Sequence, residues 1–251
     1  MSQLSTNHHK SHPKIIAAIP CLNEAQFIAD IVTKAKKYVD RVIVIDDGST
    51  DRTSEIARDA GADVIRHEKR KGAGAATQSG FQAARTNGAD ILVTLDGDGQ
   101  HNPDEIPALI SPITEGKADL VIGSRFPQPH LNQSQLISIN LNHVPKYRKL
   151  GIDVITWLYN FGSKMKVSDS QSCFRAHSRK LLQAIEITEP GFGFSVEVLI
   201  KARRNGLAIM EVPISCIYHP QGSTDNPITH GLGVAFTVMK LRLFKHQEII
   251  S

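Results

Sequence analysis

Two aspartates separated by a single glycine, Asp96 and Asp98, follow the apolar run 91–95. Two carboxylates at this spacing can face one hard cation together. Mg²⁺ or Mn²⁺ prefers oxygen ligands, usually one or two carboxylates plus the phosphates of a substrate. The glycines at 97 and 99 leave room for a bulky ligand near the backbone. Aspartate and glycine are also common in ordinary strand-to-helix turns, so the neighbouring elements decide between a cation site and a plain turn.

The surrounding elements favour the cation site, because strands and helices alternate through the first half of the chain. We expect strands at 14–19, 41–45, 62–66, 89–95 and 119–122 and helices at 25–39, 53–60, 71–86 and 103–113. This alternation is typical of an α/β fold with a mostly parallel central sheet flanked by helices. Ligands of such sheets bind beyond the carboxyl ends of the strands, where Asp96 and Asp98 would lie.

Further carboxylates follow two other predicted strands. Asp46 and Asp47 end the second strand, and Glu24 follows the first. A carboxylate at that edge can accept hydrogen bonds from a base N–H or from ribose hydroxyls, and it can equally cap or begin a helix. The motif GxGxxG does not follow the first strand, and GxxxxGK[ST] occurs nowhere in the sequence. Both of those nucleotide-binding classes are therefore excluded.

The second half of the chain is organised differently. Residues 126–149 form a long polar connection, and connections of this length are usually functional or mobile. A polar, turn-rich stretch follows at 167–175. We expect helices at 152–164, 179–185 and 195–205, a strand at 207–212, a loop at 218–230 and an amphipathic C-terminal helix at 232–250. The expected division is a disordered tail at 1–13, one domain at 14–220 with halves at 14–125 and 126–220, and a C-terminal loop and helix at 221–251.

Composition narrows the function further. The chain has 251 residues with 29 basic and 25 acidic side chains, and a net charge of +4 is too small to indicate a nucleic-acid binder. Three dispersed cysteines argue against a disulfide scaffold and for a reducing compartment. No run approaches the roughly 18 apolar residues of a membrane span, and residues 1–14 lack the apolar region of a signal peptide, so we expect neither.

Four segments carry a family resemblance when they are taken in order. They are IPCLNE at 19–24, VIDDGSTD at 44–51, LDGDGQH at 95–101 and GSRF at 123–126. The ordered set resembles the inverting family-two glycosyltransferases of the GT-A fold. VSDSQSCFR at 167–175 and the segment 193–197 are similar, more narrowly, to the polyprenyl-phosphate (dolichyl-phosphate) mannosyl- and glucosyltransferases. The likeness covers about 14–220; Cys173 stands where that signature usually has glycine, and Leu22 where an aromatic residue often stacks on the base.

The resemblance implies roles for individual residues. The base and ribose of a nucleotide-sugar would contact Pro20, Leu22, Glu24, Ile45 and Asp47. A divalent cation, Mg²⁺ or Mn²⁺, would be surrounded by Asp96, Asp98 and Gln100, with Gly97 also at the sugar-nucleotide. Arg125 would face the phosphates, and Ser172 and Arg175 would lie near the acceptor or the sugar. The residues expected to act in catalysis are Asp98, Arg125 and Asp169.

The acceptor decides whether a general base is needed. A polyprenyl phosphate is already an anion near neutral pH, so it needs only positioning against the anomeric carbon. A saccharide hydroxyl would need a base, and Asp169 or Glu197 would be the candidates. A nucleotidyltransferase is an alternative of another class, but it would usually show a glycine-rich basic loop after the first strand, where this chain has 20–24.

A polyprenyl acceptor also implies a membrane partner. We expect a cytoplasmic protein with a peripheral contact at the cytoplasmic face of a membrane. The C-terminal helix is the predicted contact, because positive charge beside an apolar face suits an interfacial helix. Its apolar residues are Phe236, Leu243 and Phe244, and its basic residues are Lys240, Arg242 and Lys245.

Overall fold

A computed structural model of the chain describes residues 12–126, 146–163, 166–217, 234, 236–238 and 240–241. Its centre is a seven-stranded sheet in the order β3-β2-β1-β4-β6-β5-β7. The strands are β1 Ile15–Cys21, β2 Arg41–Asp46, β3 Asp63–Arg66, β4 Ile91–Thr94, β5 Leu120–Ser124, β6 Arg175–Ser178 and β7 Ile209–Pro213. All pairings are parallel except those of β6, which runs antiparallel to both β4 and β5. The predicted mostly parallel α/β sheet is confirmed.

Helices cover both faces of this sheet. They are α1 Ile28–Ala35, α2 Thr53–Asp59, α3 Ala73–Thr86, α4 Ile106–Thr114, α5 Lys146–Asn160, α6 Arg179–Ala184 and α7 Phe194–Arg204, with a 3₁₀ turn at Pro103–Glu105 before α4. Alternate strand residues point to opposite faces. Ile16 and Ala18 of β1 therefore pack towards α3, α6 and α7, whereas Ile15 and Ala17 pack towards α1, α2 and α4.

Strand β6 was not expected from the sequence, which predicted only a polar turn at 167–175. Its four residues, Arg-Ala-His-Ser, have little strand propensity of their own. Pairing with β4 on one side and β5 on the other supplies the backbone hydrogen bonds instead, and all four side chains are buried. The antiparallel insertion presses the turn at 167–174 against the end of β4.

Element bounds differ from the predictions mainly in the second half. Helix α5 begins at Lys146 and ends at Asn160, where the sequence predicted 152–164. Most of the predicted connection at 126–149, the loop at 218–230 and residues 1–11 lie outside the described residues. Of the predicted C-terminal helix, residues 234, 236–238 and 240–241 are described and helical, and Val234 and Val238 pack on α5 and α7.

Among the residues that the structure describes, no helix has the length and apolar character that crossing a bilayer requires.

Candidate active site

The carboxyl ends of β1, β2 and β4 meet at one edge of the sheet. Cys21 is paired with Asp46 across β1 and β2, and the register of β1 with β4 carries Gly97 alongside Cys21. Gly97 is buried, and a Cβ at that position would collide with the Cys21 thiol. Glycine is therefore required between Asp96 and Asp98 by packing as well as by ligand access. The edge brings the predicted carboxylates together, as the alternation of elements implied.

Three carboxylates at this edge repel one another. Burial and the neighbouring Asp98 raise the pKa of Asp96 to about 7. Burial, Asp98 and Asp96 likewise raise the pKa of Glu24 to about 7. His101 lies 3.9 Å from the Asp96 carboxylate, but burial and Arg125 lower the pKa of its imidazole to about 3, so it stays neutral. Crowded carboxylates with raised pKa values are typical of a site that holds a cation.

The oxygen ligands present fit a hard divalent cation. Asp96 and Asp98 are both partly exposed at the edge, while Gln100 is buried. The backbone amide of Gln100 donates to Asp98 Oδ1 at 3.0 Å, and the backbone carbonyl of Gln100 accepts from the Ile217 amide at 2.9 Å, so the backbone of Gln100 is held on both sides. Within the described residues, no three His, Cys, Asp or Glu side chains are already gathered in metal-ligand geometry. The set matches a cation that takes its remaining ligands from substrate phosphates.

Arg125 and Asp169 form a buried pair beside this cluster. Arg125 follows β5, and its Nε and Nη2 donate to Asp169 Oδ2 at 2.7 Å and Oδ1 at 3.0 Å. The same carboxylate accepts hydrogen bonds from the backbone amides of Arg125, Gln171 and Ser172. Burial alone would raise the pKa of Asp169, but the Arg125 charge and these bonds hold it below its ordinary value. Asp169 therefore orients Arg125 and is poorly suited to accept a proton.

Glu211 holds the turn that carries Asp169, and the sequence analysis assigned it no role. It lies on β7 beside β5, and its carboxylate accepts from the Ser168 amide at 2.8 Å and the Asp169 amide at 3.0 Å. Ser168 is also joined to Ser124, at the end of β5, by a 2.7 Å hydrogen bond between the two hydroxyls. A carboxylate inside an otherwise apolar strand segment was the available signal. Glu211 fixes the turn that presents Asp169.

Arg175 and Ser172 were both expected near the acceptor or the sugar. In the structure Ser172 is part of the same turn, and Arg175 holds that turn by hydrogen bonds to its backbone. Arg175 is 2 % exposed, and its guanidinium donates to the carbonyls of Ser172 at 2.7 Å, Ser195 at 2.8 Å and Ser170 at 2.9 Å. It ties the turn at 167–174 to α7. The Ser172 hydroxyl is buried and has no hydrogen-bond partner among the described residues.

Asp47, a predicted base-contacting residue, anchors the segment that leads into α3. Its Oδ1 accepts from His67 Nδ1 at 2.7 Å and from the Lys71 amide at 2.9 Å, and its Oδ2 accepts from the Gly72 amide at 2.8 Å. His67 Nε2 lies 2.9 Å from Ser79 Oγ on α3. His67 was not identified from sequence, because its partners are 12 and 20 residues away.

The other predicted nucleotide contacts lie in two different environments. Pro20, Leu22 and Glu24 are partly exposed where β1 ends, and the Glu24 amide donates to Thr53 Oγ1 at 2.8 Å. Ile45 is fully buried in the core against α3. Pro20, Leu22 and Glu24 are thus open to a ligand, whereas Ile45 supports them from within the sheet.

Glu197, the other candidate base, is occupied structurally. Its carboxylate accepts from the Thr188 amide at 3.0 Å and the Glu189 amide at 2.9 Å, and it pairs with Lys201 at 2.9 Å. In the segment that Glu197 holds, the carbonyl of Pro190 accepts from the Gly74 amide at 2.8 Å at the start of α3. Glu197 therefore holds the start of α3 in place.

Comparisons with known proteins agree with this geometry. A UDP-N-acetylglucosamine–dolichyl-phosphate N-acetylglucosaminyltransferase of Methanococcus voltae is 34% identical over 81% of this chain and 86% of its own length. An undecaprenyl-phosphate mannosyltransferase of Micrococcus luteus is 28% identical over 84% of this chain and 86% of its own length.

A solved structure shares the fold. The glucosyl-3-phosphoglycerate synthase of Mycobacterium tuberculosis, in complex with Mn²⁺, UDP-glucose and phosphoglyceric acid, superposes with a TM-score of 0.67. It is 25% identical, and the match covers 91% of this chain and 79% of that one. The predicted GT-A-like fold is confirmed. The model of the family described as "Glycosyl transferase family 2" matches residues 16–182, which include β1 from its second residue, β2 to β6 and every carboxylate of the edge cluster, and the chain thus belongs to that family of glycosyltransferases.

Proposed function

We propose that this glycosyltransferase moves a hexose, with inversion, from a UDP- or GDP-linked sugar to a polyprenyl phosphate, and that it depends on a divalent cation. The observation that carries the proposal is the pairing of Arg125 with Asp169. It keeps a guanidinium beside the carboxylate cluster and occupies the carboxylate that would otherwise be the candidate base. An acceptor phosphate is already ionised near neutral pH, so a site without a general base suits it.

The two relatives of known acceptor support the same choice, since their names specify dolichyl phosphate and undecaprenyl phosphate. The family match also favours sugar transfer over the nucleotidyltransferase alternative. The solved neighbour binds phosphoglyceric acid, so a soluble phosphorylated acceptor belongs in any test.

The reaction requires one bond to form and one to break. An oxygen of the acceptor phosphate bonds to the anomeric carbon, and the bond from that carbon to the nucleoside diphosphate breaks, with its electron pair leaving on the diphosphate. Arg125 would hold a phosphate in the two-bond geometry that guanidinium groups favour. Pro20, Leu22 and Glu24 would contact the base and ribose, and Asp47 would keep the segment at 67–72 against them.

Asp96, Asp98 and Gln100 would hold Mg²⁺ or Mn²⁺, which neutralises charge on the departing diphosphate. The proposal includes a peripheral contact at the cytoplasmic face of a membrane, because polyprenyl phosphates are membrane lipids.

Transfer of radiolabelled sugar into an organic-extractable product tests the proposal. The assay offers UDP- and GDP-sugars with a short-chain prenyl phosphate and Mg²⁺ or Mn²⁺, with and without a chelator. A chelator-sensitive, mild-acid-labile lipid product is expected. Transfer only to a saccharide or to phosphoglyceric acid would contradict the acceptor, and full activity in chelator would contradict the cation.

A further inference from the structure

Helix α5 exposes a continuous apolar stripe. Leu150, Val154 and Trp157 on α5, and Phe161 directly after its last residue, are 66%, 50%, 61% and 62% exposed. The Phe161 amide donates to the Trp157 carbonyl at 2.9 Å, so the helical geometry continues through Phe161. At 3.6 residues per turn these four positions fall within about 60° of one another around the helix axis. Trp157 and Phe161 are in ring contact, with centroids 5.6 Å apart. Single exposed apolar residues are ordinary, but four large ones in a row on one helix face indicate an interaction surface.

The opposite face of α5 is already buried. Ile155 and Tyr159 are 4% and 0% exposed, and Ile155 packs on α7 and the C-terminal helix. A helix that is apolar on both faces is normally covered on both. The stripe is therefore a second apolar face, largely exposed, and it is separate from the face that holds α5 to the domain.

The charge of the sequence segment that contains the stripe indicates which kind of surface suits it. Between 146 and 166 the chain carries five basic residues, Lys146, Arg148, Lys149, Lys164 and Lys166, and one acidic residue, Asp153. Asp153 is paired with Lys149 at 2.6 Å. Aromatic and aliphatic side chains flanked by lysine and arginine suit a surface of anionic lipid, where apolar groups enter the acyl boundary and basic groups meet the headgroups.

The helix that carries the stripe is also connected to the candidate active site by hydrogen bonds. On the inner side of α5, Thr156 Oγ1 lies 2.8 Å from Ser170 Oγ, and Asn160 exchanges hydrogen bonds with the backbone of Val167 at 2.7 and 3.0 Å. Both contacts hold the turn that carries Asp169. Near the start of the helix, Lys149 Nζ lies 5.3 Å from the ring of Phe126, the residue after Arg125.

We propose that the α5 stripe is a lipid-binding surface that seats the protein on an anionic membrane and brings the phosphate-binding Arg125 to the headgroup level. The role of this surface rests on the proposed lipid-phosphate acceptor, but the vesicle-binding test of the surface uses neither acceptor nor sugar. Under this proposal α5 contacts lipid directly. The C-terminal helix that the sequence predicted to contact the membrane would be a second lipid contact.

Trp157 is the only tryptophan of the chain, so intrinsic tryptophan fluorescence reports on the stripe alone. Vesicles containing phosphatidylglycerol and no polyprenyl phosphate should shift its emission to shorter wavelength. Lipids brominated on their acyl chains should quench it. Neutral phosphatidylcholine vesicles and 0.5 M salt should weaken both effects, because basic residues contribute to the attraction. Unchanged emission and no quenching with anionic vesicles would overturn the proposal.

A variant that keeps the reporter tests the residues themselves. Leu150→Gln, Val154→Gln and Phe161→Gln combined replace exposed apolar groups with a good helix former and retain Trp157. We expect vesicle affinity to fall at least tenfold, while turnover of a short-chain prenyl phosphate stays within twofold. Ile65→Gln, which alters an exposed apolar residue on the edge strand β3, is the matched control and should bind as the unaltered protein does.

Other occupants of the stripe give different results. If a second copy of the chain covers it, the triple variant changes the oligomeric state in light scattering and vesicle affinity is unaltered, which overturns the proposal. The same holds if Phe236→Gln abolishes vesicle binding and the triple variant does not. Turnover of soluble prenyl phosphate without vesicle binding would refute the lipid-binding surface and leave the proposed function standing. Vesicle binding without such turnover would refute the proposed function and leave the lipid-binding surface standing.

Discussion

The backbone amide of Asp169 donates a 3.0 Å hydrogen bond to the carboxylate of Glu211. Glu211 lies on β7, whereas the Asp169 carboxylate accepts hydrogen bonds from Arg125, the residue that follows β5. The bond therefore connects two neighbouring strands through the turn at 167–172. Glu211 determines where Asp169 stands, and Asp169 determines where the Arg125 guanidinium points.

Removing the Glu211 carboxylate should loosen that turn. Glu211→Ala leaves the amides of Ser168 and Asp169 without their acceptor, so we expect a loss of about 3 kcal/mol in unfolding free energy and a higher KM for the phosphate acceptor. Glu211→Gln keeps one accepting oxygen, so its unfolding free energy and its KM should lie between those of the unaltered protein and of Glu211→Ala. Urea unfolding and steady-state kinetics measure these effects. A Glu211→Ala protein with unaltered KM and stability would show that β7 does not position the turn.

Replacing Asp169 distinguishes a positioning role from a proton-accepting one. Asp169→Asn loses the charge that orients Arg125, so we expect kcat/KM to fall by about 10- to 100-fold. The shape of the pH–rate profile should not change, because Asp169 transfers no proton. Arg125→Lys removes the two-bond geometry of the guanidinium and should also lower kcat/KM. In the double variant the decrease in kcat/KM should be smaller than the product of the two single decreases, because both changes disrupt the same pair. Disappearance of the acidic limb from the profile in Asp169→Asn would identify a general base instead, because a base must be deprotonated to act.

The carboxylate cluster should make the cation-free protein sensitive to rising pH. The pKa of Asp96 is raised to about 7, so the folded state binds more protons than the unfolded state between about pH 4 and 7. Stability in chelator is therefore expected to fall as pH rises through that window. Asp96→Asn should recover about 1–2 kcal/mol at pH 7.5, a figure reduced for the partial exposure of the side chain.

The same substitution should abolish the stabilising effect of Mn²⁺ and cation-dependent binding of the sugar nucleotide. Thermal unfolding with Mn²⁺ or chelator, followed at pH 5 and 7.5, measures both effects. Asp90→Asn, which alters a partly exposed aspartate that pairs with Arg179 at the opposite end of β4, provides a carboxylate control for the effect of Mn²⁺. A chelator-treated Asp96→Asn protein that is less stable than the unaltered one would refute the repulsion argument.

A buried histidine should make the protein sensitive to acid. His177 on β6 has a pKa lowered by burial and by Arg175, so it stays neutral in the folded state while the unfolded chain takes up a proton below about pH 6.5. His177 therefore contributes a loss of stability as pH falls from that value, by up to about 1.4 kcal/mol per pH unit and opposite in sign to the contribution of Asp96. His177→Leu should remove this contribution, so the difference in unfolding free energy between the two proteins should change between pH 6.5 and 5. Parallel curves for the two proteins would contradict this origin.

The first half of the fold was predictable because each element carries its own signal. β1, β2 and β4 are apolar runs that end in turn residues, and the alternation with helices implies a shared carboxyl edge. That edge is where Asp96, Asp98 and Arg125 lie. The positions of Asp96 and Asp98 after a strand were sufficient to predict that they lie at this edge, whereas the role predicted for Arg125 came from the family resemblance.

The second half was less predictable because its elements depend on distant partners. β6 contains Arg175 and His177, and its strand conformation comes from pairing with β4 and β5. Glu211 and His67 contact Asp169 and Asp47, which are 42 and 20 positions away in the sequence. Local propensity does not encode such distant contacts, so the sequence analysis gave no role to the two residues that hold these candidate site residues in place.

The insertion of β6 has a consequence for synthesis of the chain. Strands β3, β2, β1 and β4 can pair as soon as residue 94 has been made, but the open edge of β4 has no strand beside it until residues 175–178 arrive. An unpaired strand edge is a template for association with other chains. During translation the nascent protein therefore carries this exposed edge next to Asp96, and chaperone dependence is expected to be greatest for chains that end between 95 and 178.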